Sequence, residues 1–162
     1  MKTSLVITFF VNVNVMLGLG FSCARADELD FKKYSVPSSK VQFSTRLNKN
    51  GKFAKKYKSV LSEEIKKGPN FAQKFRVAQI GCGASCSMIA VIDCVSGDVL
   101  NPRVIVTDNQ KTQALGDRLE VRLDSRLLIL RGCLDEMEDR CGTHQLTLAG
   151  FKLKEIHFDR VK

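Results

Sequence analysis

The clearest periodic pattern in the chain lies between Lys52 and Lys67. Apolar residues recur there at helical spacing: Phe53, Tyr57, Val60, Leu61 and Ile65. Such a stripe covers one face of an α-helix. Gly68 is the residue expected just past a helix end, and Pro69 prevents the helix from continuing. The pattern therefore predicts one amphipathic helix whose apolar face docks on the rest of the fold.

Beyond Pro69 the pattern changes to short apolar or alternating runs that are separated by turn residues. Asp93–Gly97 and Ala149–Gly150 have the composition of hairpin turns. Runs of strand length lie at Phe75–Ile80, Met88–Ile92, Val99–Leu100, Val104–Val106, Arg118–Leu123, Leu127–Leu130, Gln145–Leu148 and Phe151–Lys154. Period-two alternation bounded by turns is typical of antiparallel strands. We therefore predict an α+β, mainly β fold, a small antiparallel β domain with one N-terminal amphipathic helix packed on it.

The first 26 residues have the pattern of a secretory signal peptide. Lys2 precedes an apolar segment, Leu5–Phe21, and Ala24-Arg25-Ala26 matches a small-residue cleavage site. Polar residues inside the segment and the cleavage site argue against a membrane anchor. The predicted organisation is a signal peptide at 1–26, an N-terminal arm at 27–50 and a single α+β domain at 51–162. We expect a periplasmic or secreted protein with no transmembrane span after cleavage.

The basic charge is concentrated near the N-terminus. Residues 27–68 hold 11 basic and 5 acidic residues, whereas residues 69–162 hold 13 and 12. The lysines of the predicted helix mostly lie off its apolar stripe and predict a basic surface: Lys52, Lys55, Lys56, Lys58, Lys66 and Lys67. Outside the cytoplasm, such a surface meets an acidic protein or an anionic envelope surface. Export and the lack of a recognition motif argue against nucleic acid. A solvated helix face is the simpler alternative.

Five cysteines remain after removal of the signal peptide, and disulfides are the default state of cysteines in an exported protein. Cys133 and Cys141 bracket a loop between two predicted strands, where neighbouring strands can supply the roughly 5.5 Å Cα separation of a disulfide. Cys82 and Cys86 can close on each other across a glycine-containing corner. Cys94 is then the free thiol candidate, although sequence alone leaves the connectivity open.

Other roles for these cysteines remain as alternatives. The spacing of Cys82 and Cys86 differs from that of thioredoxin-type redox sites, but zinc sites tolerate it. Two further zinc ligands would have to come from Cys133, Cys141, His144 and His157, and an oxidising compartment argues against that. A cysteine nucleophile with either histidine as its base has little specificity. We expect no metal and no cofactor, with His144 in a loop and His157 as an ordinary sheet residue.

The acidic residues suggest structural roles. Asp93 and Asp124 each lie at a turn, where we expect their side chains to accept hydrogen bonds from backbone N–H groups. The acidic cluster at 135–139 lacks the glycine and the ligand spacing of an EF-hand, so we expect a solvated loop. Glu63 and Lys67 are placed to form an i,i+4 ion pair.

Four short motifs follow one another in order: Gly68–Ala72, Gly81–Cys86, Ile92-Asp93 with Gly97 and Val99, and Asp124–Leu128. They resemble an uncharacterised family of small exported bacterial proteins with the motifs PNFAG-x-Y, W-G-C-G-x-x-C and D-S-R-L-L. The resemblance implies export and a compact β fold, and it implies no reaction. The chain departs from that pattern at three positions. Gln73, Phe75 and Ile80 stand where the family pattern has glycine, tyrosine and tryptophan. The pattern also lacks Cys94, Cys133 and Cys141.

The sequence favours an exported, disulfide-stabilised, non-enzymatic binding or accessory protein of the bacterial envelope. It holds two histidines, no tryptophan and no recognisable acid–base, nucleophile or phosphate-binding motif. The alternative is a thiol-redox or metal-dependent protein that uses Cys82 and Cys86.

Overall fold

The strands of the protein lie in one antiparallel sheet, seen in a computed structural model that describes residues 31–100 and 104–161. The predicted signal peptide at 1–26 and the start of the arm lie outside the described residues. The helices are α1 (Lys52–Lys56) and α2 (Lys58–Lys66). The strands are β1 (Phe75–Gly83), β2 (Cys86–Asp93), β3 (Val99–Leu100), β4 (Ile105–Thr107), β5 (Leu119–Val121), β6 (Leu127–Leu134), β7 (Cys141–Ala149) and β8 (Lys152–Arg160).

The sheet runs β1-β2-β4-β6-β7-β8, with β3 paired to β2 and β5 paired to β6. All of these pairs are antiparallel. The pairings β1–β2, β6–β7 and β7–β8 join strands that follow one another in the chain, so they need only short turns. The predicted class, α+β and mainly β, is confirmed.

One face of the sheet carries the larger apolar core. Alternate residues of the central strands point into it, and they are buried: Phe75, Val77, Ile89, Val91, Val106, Leu128, Leu130, Leu134, Leu146 and Leu148. Phe71, which is fully buried, joins them from the turn before β1. The Phe75 ring stacks on that of Phe151, with 6.2 Å between centroids. This contact brings the start of β1 close to the β7–β8 hairpin, so the sheet curls around its core.

The helices cover the opposite face of β1 and β2. Leu61 and Ile65 are buried there against Ile80, Ala90 and Ile92. An ion pair fixes α2 to the sheet, since Arg76 Nε lies 2.8 Å from Glu64 Oε2. Phe31, with Tyr34 beside it, covers the corresponding face of β6 at Leu127 and Ile129.

The predicted single helix is divided in two, which corrects the sequence analysis. Tyr57 has φ −105° and ψ 24°, values outside the α-helical region. Its hydroxyl lies 3.7 Å from the sulfur of Met88, and its ring packs against Phe53 with 4.8 Å between centroids. Val60, predicted to face the core, is exposed, because the buried side of α2 is set by Leu61 and Ile65.

The arm runs beside the turn between β2 and β3 and then enters α1. The Ser44 N–H donates to the carbonyl of Cys94 at 2.6 Å, and the Asn48 N–H donates to that of Gly97 at 2.8 Å. Gly97 has φ +79°, and a Cβ there would meet the carbonyl oxygen of Arg46. The arm therefore passes closely over this turn, although its residues 36–50 have no regular secondary structure. In residues 31–100 and 104–161 no helix is both long and apolar enough to cross a membrane.

Candidate functional site

Two disulfides join the pairs that the sequence favours. Cys82 is bonded to Cys86 with their Cα atoms 5.2 Å apart, and Cys133 is bonded to Cys141 with a Cα separation of 3.8 Å. The first closes the β1–β2 hairpin at an exposed tip, whereas the second joins directly opposed residues of β6 and β7 and is buried. Cys94 is the free cysteine among the described residues.

Both disulfides lie at the same end of the sheet. Cys86 pairs with Thr107 across β2 and β4, and Thr107 pairs with Cys133 across β4 and β6. Arg118 adds a polar clamp here, because its guanidinium contacts the carboxylate of Asp108 and donates to Ser87 Oγ at 2.5 Å. Covalent and ionic links therefore brace this end of the sheet. We call it the disulfide end.

Cys94 lies at the other end of β2 and is completely buried. Burial raises the pKa of its thiol to about 11, and the neighbouring Asp93 acts in the same direction. A thiol that stays protonated and buried is a weak nucleophile and a poor metal ligand. Cys94 therefore behaves as a small core residue.

His144 lies inside β7 and is completely buried, so the prediction of a loop position was wrong. Its Nδ1 is 2.6 Å from Glu155 Oε1, and its Nε2 is 2.9 Å from the carbonyl oxygen of Arg140. Arg140 also contacts Glu155, with Nη2 2.7 Å from Oε2. The His144 ring stacks on Phe158 with 4.3 Å between centroids. These contacts form a buried polar cluster at the β7–β8 pair.

A β-bulge assembles this cluster. The β7–β8 register shifts between Gln145 and Leu146, so that Gln145 pairs with His157 and Leu146 pairs with Glu155. Ile156 is the extra residue. In a regular strand, residues 155 and 158 would point to opposite faces, but a bulge changes the alternation. Glu155 and Phe158 therefore both contact His144.

Each polar group of the cluster has a hydrogen-bond partner. A carboxylate and a backbone carbonyl only accept, so His144 donates both hydrogen bonds together only when both ring nitrogens carry a proton. Burial opposes ionisation of Glu155, but hydrogen bonds from His144 and Arg140 and their charges outweigh it and hold its pKa below the ordinary 4.5. Since both ring nitrogens are engaged, neither can act as a general base or bind a metal. The cluster is structural.

The other candidate ligands are also separated or engaged. His157 lies in β8, as predicted. Its side chain is exposed, with Nε2 3.1 Å from Asp159 Oδ2. Four of the cysteines are in disulfides, and a disulfide sulfur offers no thiolate to a metal. In the described part of the chain, no three His, Cys, Asp or Glu side chains come together in a group that could hold a metal ion.

Asp93 has the structural role that the sequence predicts. Its Oδ1 accepts from the N–H groups of Val95 and Ser96 at 2.8 and 3.3 Å, and its Oδ2 lies 2.8 Å from Lys74 Nζ. Burial opposes ionisation, but the hydrogen bond from Lys74 and the backbone donors outweigh it, and the pKa of Asp93 is lowered. The acidic segment at 135–139 is exposed, as predicted.

The predicted basic surface divides into two parts. Lys66 forms an ion pair with Glu63 at 2.7 Å, and Lys67 forms one with Glu64 at 2.5 Å. The predicted Glu63–Lys67 pair is therefore wrong, because both ion pairs have i,i+3 spacing. The remaining lysines are exposed, and none makes an ion pair with a described residue; we call them the lysine cluster: Lys52, Lys55, Lys56 and Lys58.

Lys52, Lys55 and Lys56 of the lysine cluster lie on α1, and Lys58 is the first residue of α2. Ala54 is the buried residue of α1, and at about 100° per residue Lys52 and Lys56 lie nearly opposite it. Residues 31–62 contain nine Lys and Arg residues and neither Asp nor Glu. Other basic side chains are paired: Lys74 with Asp93, Arg76 with Glu64, Arg118 with Asp108, Arg131 with Glu120 and Arg140 with Glu155. The lysine cluster is therefore an unbalanced positive surface.

Two open clefts lie at opposite ends of the sheet. The first, of about 480 Å³, is at the disulfide end and is lined by Asn109, Gln110, Lys111, Glu138, Cys141, Arg160 and Val161. The second, of about 510 Å³, lies between the β2–β3 turn and the β7–β8 hairpin and is lined by Lys74, Phe75, Asp93, Ser96, Asp98, Gly150 and Phe151. The carboxylates of the second cleft are bonded within the protein, Asp98 to Asn48 and Ser96. Neither cleft presents a defined set of ligand-binding groups.

The sequence analysis missed the Arg118 contacts at the disulfide end and the polar cluster around His144. Each depends on pairing between residues far apart in the chain. Arg118 and Ser87 are 31 residues apart, and no local pattern links them. Glu155 left one signal, since a charged residue follows Leu153 at a position where alternation expects an apolar one. Comparison of the chain with protein-family models, curated proteins and solved structures finds no match.

Proposed function

We propose that the protein is an exported, disulfide-stabilised binding or accessory protein of the bacterial envelope that captures an anionic partner through the lysine cluster. The observation that carries the proposal is that Lys52, Lys55, Lys56 and Lys58 are exposed without an ion pair to a described residue. Paired surface charges contribute little to a partner's recognition, whereas an uncompensated patch attracts an oppositely charged surface and accelerates encounter.

Two further features support this proposal. The disulfides are typical of proteins that fold in an oxidising compartment. The carboxyl groups with shifted pKa values are bound in structural contacts: Glu64 to Arg76, Asp93 to Lys74 and Glu155 to His144. The Cys94 thiol, whose pKa is raised, is buried. A site for catalysis usually leaves such a group free to reach a substrate. The exposed chemistry of the described residues is thus the basic surface.

Photo-crosslinking in the living bacterium tests the proposal. A photo-reactive amino acid is placed at Lys56 in the lysine cluster or, as a control, at Lys111 in the cleft at the disulfide end. Both side chains are exposed and basic, so each replacement removes one positive charge. We expect defined adducts from position 56 that disappear when the neighbouring Lys52 and Lys55 are changed to Gln. Equal labelling from both positions, or none from position 56, would overturn the proposal.

The exposed Cys82–Cys86 disulfide favours the alternative, thiol-redox or metal chemistry, because a reductant can reach it. Intact mass after alkylation of the exported protein separates the two proposals. The binding proposal expects no alkylated thiol in the folded protein and one, Cys94, after unfolding without reduction. Two alkylated thiols at Cys82 and Cys86 in the folded, exported protein would place the alternative first.

A further inference from the structure

We infer that the lysine cluster, together with exposed apolar residues of the arm and of the adjoining β2–β3 turn, docks on a bilayer surface rich in anionic phospholipid. The inference rests on the proposed function, because it names the partner of the same basic surface. It commits to phospholipid headgroups in a membrane as the anion.

The apolar part of the surface comes from the arm and from the turn that it crosses. Val41, Phe43 and Val95 are 37%, 39% and 39% exposed. The hydrogen bond from Ser44 N–H to the carbonyl of Cys94 lies next to Phe43 in the arm and next to Val95 in the turn. An exposed phenylalanine side chain is unfavourable in water, and it can enter the boundary between headgroups and acyl chains.

The arm joins these apolar residues to the lysine cluster. Leu47, like Phe53 and Tyr57 of the helical segment, packs against the apolar cluster that holds the helices on the sheet. Arg46 and Lys49 flank Leu47, and both are exposed. Apolar and basic residues therefore adjoin along one anchored stretch of chain, from Val41 to Lys58, that holds no acidic residue.

A membrane surface fits this combination better than an acidic protein does. Lys and Arg near an anionic leaflet each strengthen binding, and a basic patch usually needs a second, apolar anchor for stable attachment. An acidic protein would match the charges but would leave Phe43 without a role. The apolar stripe of the helices is buried on the sheet at Leu61 and Ile65, so the docking uses their outer side.

Vesicle flotation tests the inference with protein that lacks residues 1–26, because the apolar segment of the signal peptide would itself enter a bilayer. The fold contacts described above lie within residues 31–161. The vesicles are phosphatidylcholine alone or phosphatidylcholine mixed with phosphatidylglycerol. We expect binding to the mixed vesicles only. Changing Lys55 and Lys56 to Gln should weaken it about fivefold per lysine. Phe43→Ser should weaken it about fivefold by removing the apolar anchor.

Matched controls come from the disulfide end. Lys111→Gln with Arg160→Gln removes the same charge from exposed sites, and Met137→Ser removes an exposed apolar side chain of 43% accessibility. We expect both controls to bind the mixed vesicles as the unchanged protein does. If the Lys111→Gln and Arg160→Gln control weakens vesicle binding as much as the Lys55 and Lys56 changes do, the effect is one of net charge and the inference is overturned. Absence of vesicle binding, or vesicle binding that Phe43→Ser does not change, would also overturn it.

The two proposals fail separately. Crosslinks from position 56 to a protein, without vesicle binding, would retain the proposed function and reject the membrane as its partner. Absence of both would reject both.

Discussion

His144 Nδ1 and Glu155 Oε1 lie 2.6 Å apart inside the β7–β8 pair, at the point where the strand register shifts. The bulge at Ile156 places an apolar side chain on the surface and a carboxylate beside a fully buried imidazole. Polar groups are buried at a position where the alternation expects an apolar side chain. Such burial is tolerated when the polar groups form hydrogen bonds with one another. The last strand is thus held by a charged cluster in addition to its backbone ladder.

Glu155→Gln should lower the free energy of unfolding by about 2 kcal/mol at neutral pH, since hydrogen bonds to a charged group are worth about 1.5–3 kcal/mol and this side chain is partly exposed. The amide cannot balance the charge of Arg140, and it is a weaker hydrogen-bond acceptor for His144 than the carboxylate. Urea denaturation measures the change. Glu136→Gln is the control, because Glu136 is exposed and makes no hydrogen bond or ion pair with a described residue. Equal stability of the two variants would contradict the role of the cluster.

The stability of the protein should fall in acid because three carboxyl groups have lowered pKa values in the fold: Glu64, Asp93 and Glu155. Each folded pKa lies below the unfolded one, ordinarily 4.5 for glutamate and 3.8 for aspartate. The stability they contribute is therefore fully present above these values and is lost as the pH falls through the folded pKa values.

Denaturation midpoints measured from neutral pH downward check this expectation. Glu155→Gln should show a shallower decline, because one of the three groups no longer titrates. A loss of stability centred near neutral pH would contradict the assignment, because no carboxylate named here titrates there.

Local signals in the sequence account for most of the fold. Gly68 has φ +75° just past α2, and Gly97 has φ +79° at the predicted hairpin turn, because glycine adopts these conformations without strain. Cys133 and Cys141 bracket a short loop between predicted strands, which made them the favoured pair, and the structure joins them. Such features depend on residues close together in sequence.

The rest depended on contacts that sequence spacing does not encode. The bulge at Ile156 decides which residues of β8 reach His144, and a shift by one residue exchanges the faces of a strand. The break at Tyr57 and the exposure of Val60 follow from how the helices meet the sheet. The six lysines of the basic surface could be predicted from the sequence. Only the structure showed that two of them, Lys66 and Lys67, are paired with Glu63 and Glu64.

Gly97→Ala should destabilise the protein more than Gly150→Ala, although both residues have positive φ, +79° and +61°. Each alanine incurs the cost of a left-handed conformation, about 1–2 kcal/mol. At Gly97 the added Cβ would also meet the Arg46 carbonyl and lie 3.0 Å from Asn48 N, whereas nothing lies within 4 Å at Gly150. The difference in unfolding free energy therefore reports how firmly the arm is packed on the turn.

Limited proteolysis provides a second readout, since a displaced arm should be cut faster in Gly97→Ala than in Gly150→Ala. Equal costs and equal cleavage rates would show that the arm does not rest on this turn in solution.

Gln73→Gly should stabilise the protein by about 1 kcal/mol, because Gln73 has φ +65°, in the left-handed region that costs a non-glycine residue about 1–2 kcal/mol. Its N–H donates to the carbonyl of Leu123 at 2.7 Å, a bond that glycine keeps. Gln79→Gly, at an exposed and extended position of β1, is the control and should cost roughly 0.5–1 kcal/mol. In urea denaturation, the unfolding free energy should rise for Gln73→Gly and fall for Gln79→Gly if the turn at Ala72–Gln73 is strained. A loss of stability in both would show that the Gln73 side chain contributes more than its backbone conformation costs.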